Sequence, residues 1–247
     1  MSAAAASPVV ELGPMTRLAH GRKARCLYLL HRLLGKLSGG RASLQVYLLC
    51  AQPIGDNRHA GVRDDPASPV RLLHPGDPLL AGLPRPPEVI AQRFAAGHRC
   101  FGIDVKGEFA GCIWIARDVY NEDEVRCQFR LSDNLPNENR PSDNRRNVWD
   151  FDVYVAPRFR TGRTLARLWK GVDKQLVAEG VAWTTSRIGL YNPASVAAHE
   201  RLGARLLGTA CFLVLGPWQL SWLPRAPYLH LSLHRGQVPS LALAPPP

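Results

Sequence analysis

The run WDFDVYVAPRFRTGRTLARLW over residues 149–169 constrains the fold more than any other part of this chain. Residues 148–155 are aromatic, β-branched or alternating with acids, which predicts a strand with Asp150, Asp152 and Tyr154 on one face. Pro157 ends it. Beyond Gly162, the residues Leu165, Leu168, Trp169, Val172 and Leu176 recur at helical spacing, so the turn delivers the chain into an amphipathic helix. The first amides of a helix have no intrahelical partner and carry partial positive charge, which suits a phosphate; Arg158, Arg160, Arg163 and Arg167 surround them with full charges. Taken alone, the turn fits a solvated basic helix start as well, because short glycine motifs recur by chance.

A second segment narrows the choice. VAWTTSRIGL over residues 181–190 reads as another strand and is followed by NPASVAAHERLGA over residues 192–204. Together with the first run, this order resembles the GNAT superfamily of N-acetyltransferases. There a strand ending in Val-x-Pro meets an Arg/Gln-x-x-Gly-x-Gly/Ala turn that holds the pyrophosphate of acetyl-CoA. A later helix opens with Asn, carries Tyr seven residues on, and closes with Leu-Gly-Phe. Asn192, His199, Leu202, Gly203 and Ala204 occupy those places here. VRLLHPGDP at residues 70–78 is similar to the family's first strand, and FGIDVKGEFAGCIWI at residues 101–115 to its second and third. The resemblance covers residues 68–220 and rests on the order of elements more than on one motif.

Two departures stand out. Counted from Pro157, the turn is one residue shorter than the family pattern, with Thr164 where a second Gly or Ala is expected; aligned on Gly162, Phe159 fills the leading Arg/Gln place. His199 stands where the family has Tyr.

The resemblance implies acyl transfer from acetyl-CoA to an amine by direct attack, with no covalent enzyme intermediate. A backbone N–H near Tyr154 or Val155 would polarise the thioester carbonyl, and Arg160, Thr161, Gly162, Arg163 and Thr164 would hold the diphosphate. Asn192 would bond the pantetheine arm, although an ordinary helix cap explains it almost as well. Asp152 falls near the family's acidic position and would accept a proton; Asp150, on its predicted face, would raise the pKa of one carboxylate. Glu122, Asp123 and Glu124 are read either as an acidic mouth for a cationic amine or as a solvated strand edge. His199 would protonate the leaving thiolate or bond its sulfur. Ser186 and Arg187 are placed beside the cleft without an assigned role.

Composition agrees with an enzyme. At 247 residues and 46% hydrophobic content the chain is long enough for one full domain with additions. It has no uninterrupted apolar run of a membrane-spanning length, and its first residues lack the pattern of a secretion signal, so a cytoplasmic location is expected. Cys26, Cys50, Cys100, Cys112, Cys127 and Cys211 lack paired ligand spacing, so reduced, mostly buried thiols are expected and no metal site. The formal charge of +11 asks for an anionic partner. Coenzyme phosphates account for part of it. Residues 22–37 combine Cys26, Leu27, Leu29, Leu30, Leu33, Leu34 and Leu37 on an apolar face with Arg22, Lys23, Arg25, Arg32 and Lys36, which suits either packing on the domain or an anionic membrane surface. No nucleic-acid motif accompanies the charge.

The expected fold is α/β (α+β): a GNAT-like, mostly antiparallel mixed sheet flanked by helices. Residues 1–66 form an N-terminal extension with the basic helix and an extra strand at 44–51, with 1–20 flexible. Residues 67–235 form the acyltransferase domain, including a hairpin turning at Lys106-Gly107 and an irregular loop at 132–147. Residues 236–247 are a Pro-rich tail that does not fold. The function expected is CoA-dependent N-acyl transfer, acetyl-CoA being the donor and a small or peripheral primary amine the acceptor. Two alternatives stay open: a non-catalytic CoA-binding or protein-interaction module, and acyl transfer to a membrane-associated precursor.

Overall fold

The computed structural model describes residues 12–55, 59, 61–131 and 147–246. In chain order the elements are helices α1 (Pro14–His20) and α2 (Arg22–Leu37), strands β1 (Ala42–Pro53) and β2 (Val70–Leu73), helix α3 (Pro87–Ala95), and strands β3 (Arg99–Val105), β4 (Glu108–Ala116), β5 (Val119–Asn121), β6 (Gln128–Leu131) and β7 (Asn147–Val155). Helix α4 (Thr164–Ala178), strand β8 (Trp183–Gly189), helix α5 (Pro193–Arg201) and strands β9 (Arg205–Leu215), β10 (Trp218–Trp222), β11 (Leu229–Ser232) and β12 (Ser240–Leu243) complete them. Nine strands form one sheet in the order β11-β10-β9-β1-β8-β7-β4-β3-β2, and only β7 and β8 run parallel within it. The expected mixed, mostly antiparallel sheet with flanking helices is the architecture observed.

Side-chain alternation along β1 sorts the core. Tyr47 and Leu49 point to one face, where Trp114, Trp149, Phe129 and Phe212 pack beneath a small second sheet of β12, β6 and β5. Leu48 and Cys50 point to the other face, against α1 and α2. Helix α4 buries Leu168, Trp169, Val172 and Leu176 on that same helical face of the sheet, as its apolar spacing requires. The hairpin from β3 to β4 turns at Lys106 and Gly107, both at positive φ, as expected.

Three expectations change. Residues 14–20 are not flexible: α1 is helical, Met15 is buried, and the Glu200 carboxylate accepts from the Met15 and Thr16 amides at 2.8 and 3.2 Å. A carboxylate at the start of α1 satisfies amides that no helix can bond internally. Gly13 permits the approach, since a Cβ there would lie 2.1 Å from Glu200. The extra strand is β1, and it pairs with β8 on one side and β9 on the other, so the N-terminal segment supplies an internal strand of the sheet. The tail does fold. Residues 240–243 form β12 parallel to β6, with Leu241 and Leu243 fully buried. The loop expected at 132–147 lies outside the described residues up to position 146, and Asn147 opens β7.

No helix among the described residues is long and apolar enough to cross a membrane. All six cysteines are free; Cys50, Cys100, Cys112 and Cys127 are buried, Cys211 half-buried and Cys26 exposed.

Candidate functional site

Strands β7 and β8 pair only from residues 147–150 to 183–186. Past Asp150, β7 stays bonded to β4 alone, so the two parallel strands diverge. A bulge accompanies the divergence: Ile115 opposes Asp150 and Trp114 opposes Asp152, which leaves Phe151 as the extra residue. The wedge so opened holds a groove of about 440 Å³ between Val153 to Val155 of β7, Leu165 and Trp169 of α4, and Asn192, Ala198, His199 and Arg201 around α5. A volume of this order suits a slender ligand arm.

The groove has oriented donors. Ala156 N–H donates to Ala110 O at 2.9 Å, so strand alternation turns the Val155 amide away from β4 and toward the wedge, and the Tyr154 amide toward β4. Of the two strand amides named from the resemblance, the one at Val155 faces the wedge and the one at Tyr154 faces β4. The first helical bond of α4 runs from Arg167 N–H to Arg163 O, so the Thr164, Leu165 and Ala166 amides precede any helical partner. Arg160 and Leu165 line the groove, and the turn containing Thr161, Gly162 and Arg163 is exposed between them. The turn spends some of its own amides, since Arg160 N–H donates to Pro157 O and Gly162 N–H to Phe159 O.

The arginines around the turn are less available than their spacing suggests. Arg158 pairs with Glu108 at 2.5 Å, Arg163 donates to Gly61 O at 3.3 Å, and Arg167 pairs with Asp65 at 2.8 Å. Arg160 lines the groove, its Nε donating to Val155 O at 2.9 Å. A second groove guanidinium, Arg201 at the end of α5, escaped the sequence reading. Its signal was present: Ala194, Ala198 and Arg201 lie four and three apart, on one helix face.

The carboxylates are placed differently from expectation. The bulge at Phe151 puts Asp150 and Asp152 on opposite faces of the sheet, so they do not act as a pair. Asp150 is buried and accepts from Ser186 Oγ at 2.9 Å. Burial and the neighbouring Asp150 push the Cys50 thiol up to about 12, so that sulfur stays protonated. Asp152 faces α3, where Arg85 grips both its oxygens at 3.0 and 3.1 Å and Arg93 adds a contact at 2.7 Å. Arg93 itself lies over the Trp114 and Phe151 rings. Asp152 is thus an ion-pair partner outside the groove rather than an unengaged base.

The expected acidic mouth is likewise tied into the fold. Glu122 is buried and pairs with Arg187 at 2.5 and 2.6 Å, and Glu124 accepts from Tyr47 OH at 2.7 Å. Burial pushes the Glu122 carboxyl upward against the pull of Arg187. Asp123 is exposed and pairs with Arg93 at 3.5 Å.

His199 and Asn192 both line the groove. The His199 ring is buried, stands edge-on to Trp169 at 6.0 Å, and has Nδ1 at 3.2 Å from Gln52 Oε1 on β1. Asn192 caps α5, its Oδ1 accepting from Ser195 N–H at 3.1 Å, which leaves its amide NH₂ as the group that could serve a ligand.

No protein-family model matches the chain, and no curated protein matches it. Among solved structures, a conserved protein of unknown function from Staphylococcus epidermidis ATCC 12228 is similar at 10% identity and TM-score 0.48, covering 75% of this chain and 67% of its own. A putative GNAT-family acetyltransferase from Novosphingobium aromaticivorans DSM 12444 is similar at 17% identity and TM-score 0.40, over 69% of this chain and 65% of its own. A tandem GNAT protein from the clavulanic acid biosynthesis pathway is similar at 16% identity and TM-score 0.46, over 72% and 56%. The chain spans two thirds or less of the length of the two GNAT proteins. At these values the likeness carries no inference about activity.

Proposed function

We propose that the protein is a CoA-dependent N-acyltransferase that moves an acetyl group from acetyl-CoA to a primary amine. The observation that carries this reading is the divergence of β7 from β8, which brings the Val155 amide, the opening turn of α4 and His199 to one groove. A thioester lying along that groove would meet the Val155 N–H at its carbonyl oxygen, where negative charge develops as an amine attacks. The new bond joins nitrogen to the acyl carbon, and the C–S bond breaks. The proton that the amine loses ends on the departing sulfur, so no net proton is consumed. His199 lines the same space and would carry that proton, Gln52 holding its Nδ1. Arg160 and Arg201 would face the phosphates, with Thr161, Gly162, Arg163 and Thr164 forming the rim. Asn192 would bond the ligand arm through its amide NH₂.

The test is calorimetric titration of the wild type and of Gly162→Glu with acetyl-CoA and with CoA. A Cβ at Gly162 would meet Phe159 O at 3.6 Å and Thr164 Oγ1 at 4.0 Å, ordinary contacts, so the variant is expected to fold while placing a carboxylate at the rim. Saturable binding by the wild type and at least about tenfold weaker binding by the folded variant supports the reading. A folded wild type that binds neither ligand sinks it.

A second reading, a non-catalytic CoA-binding or protein-interaction module, is favoured by one observation: Arg158, Arg163 and Arg167 are engaged elsewhere and the turn consumes the Arg160 and Gly162 amides. CoA binding without release of free thiol across a panel of primary amines would select it.

A further inference from the structure

The chain's excess charge has a definite address. Residues 12–52 carry seven Lys and Arg and no acid, and residues 201–247 carry four and no acid, whereas the remaining residues hold 20 of each sign. The whole +11 therefore comes from the α1–α2–β1 segment and the β9–β12 segment. Strands β1 and β9 of these segments pair, and the basic side chains over the helical face are those of α2, whereas Arg201 lines the groove, Arg205 lies over Trp183, and Arg235 lines a cavity with Glu122 and Glu124.

Helix α2 lies over β1, its Leu27 and Leu34 packed with Leu44, Val46 and Leu213. Tyr28 leans on Tyr191, at the β8 side of β1. Helical geometry turns Leu30, Leu33 and Leu37 to the opposite flank, the side of β9 and β10, and all three are exposed. Beyond that flank the sheet continues with apolar side chains uncovered. Trp218 opposes Leu215, and Trp222 opposes Cys211, so both tryptophans share the face on which Cys211 and Leu213 meet α2. Leu231 opposes Leu220 and extends the face onto β11. Trp218 is 56% exposed and Leu231 55%. Arg22, Arg25 and Lys36 stand exposed along the outer side of α2, and Arg32 lies exposed toward the other flank, its Nη1 donating to Tyr28 OH at 3.3 Å.

We infer that this face is a docking surface for an anionic lipid bilayer, and this rests on the charge and the apolar face rather than on the acyltransferase reading. Leucines and tryptophans on one surface with a wholly basic margin suit the boundary between acyl chains and anionic headgroups. A second copy of the chain is a poorer occupant, because a symmetric dimer would press two acid-free basic margins together.

The test is co-sedimentation of the full chain with vesicles of phosphatidylcholine alone and of phosphatidylcholine mixed with phosphatidylglycerol, at low and high salt. Binding to the mixed vesicles that weakens with salt, with little binding to phosphatidylcholine alone, is the expected result. Trp218→Ser with Trp222→Ser should reduce that binding at least about tenfold, from the lost apolar burial alone. Brominated lipid should quench tryptophan emission of the wild type, a readout that requires no variant. Absence of binding to anionic vesicles at low salt, equal binding to neutral ones, or a stable solution dimer that the serine substitutions dissociate would each overturn the proposal.

Discussion

His199 Nδ1 lies 3.2 Å from Gln52 Oε1, and both side chains are buried. The contact joins the groove to β1, a strand far away in sequence that the sheet places beside β8. An amide oxygen can only accept, so the contact needs a proton on Nδ1, which the Nδ1 tautomer and the charged ring both supply. In the acetyl-transfer reading proposed above, this contact orients the ring that would carry the proton to the departing sulfur.

His199→Ala should lower kcat for acetyl transfer by about 10²-fold while acetyl-CoA affinity changes by less than about threefold, because a thiolate leaves fairly well without help. Gln52→Leu should shift the pH dependence of kcat while leaving acetyl-CoA binding in place. Stopped-flow assay of free thiol across the pH range, with calorimetry alongside, separates the two effects. An unchanged kcat in His199→Ala removes the proton role.

The Glu122–Arg187 pair gives a stability prediction with a definite sign. Burial raises the Glu122 carboxyl above the ordinary carboxylate value, and Arg187 is the main force holding it down. A carboxyl raised in the folded state binds its proton more tightly there than in the unfolded chain. Its contribution is complete below the ordinary carboxylate value and is lost as pH climbs through the folded one. Arg187→Met removes the opposing pull, so the loss deepens: the variant should be destabilised by about 3–5 kcal/mol at about pH 8 and distinctly less at about pH 5. Urea unfolding midpoints at the two values check it, and a penalty independent of pH would contradict it.

Much of the site was legible because it is local. The strand into α4, the cap at Asn192 and the burial of Trp169 follow from alternation, cap chemistry and helical spacing. The bulge at Phe151 was not legible, because one inserted residue leaves the apolar pattern intact while sending Asp150 and Asp152 to opposite faces. Neither was the fate of Arg158 and Arg167, whose partners Glu108 and Asp65 lie 50 and 102 residues away. Strand order is equally non-local: nothing within residues 42–53 says that they enter between β8 and β9.

Asp152→Asn discriminates an ion-pair role from a catalytic one. The substitution leaves Arg93, buried between Trp114 and Phe151, with Asp123 at 3.5 Å as its remaining carboxylate, which should cost about 1–3 kcal/mol of stability. The pH profile of kcat should keep its shape, since Asp152 lies outside the groove. Loss of the rising limb of that profile would make Asp152 the base after all.

Strand β12 carries the last prediction. Leu241 and Leu243 alternate with exposed Ser240 and Ala242, and both are fully buried against the cluster that contains Phe129 and Trp149. Pro239 supplies the carbonyl that accepts from Gln128 N–H at 2.8 Å, so the proline before the strand joins the pairing with β6 rather than preventing it. Leu241→Ala should cost about 2–5 kcal/mol, the range for emptying a filled leucine site. A chain ending at Pro239 should lose more, because it exposes the edge of β6 and the Phe129 ring together. Denaturant unfolding of both forms decides the matter: stabilities equal to the full chain would mean that β12 adds nothing, whereas the expected losses make residues 240–243 part of the folded core.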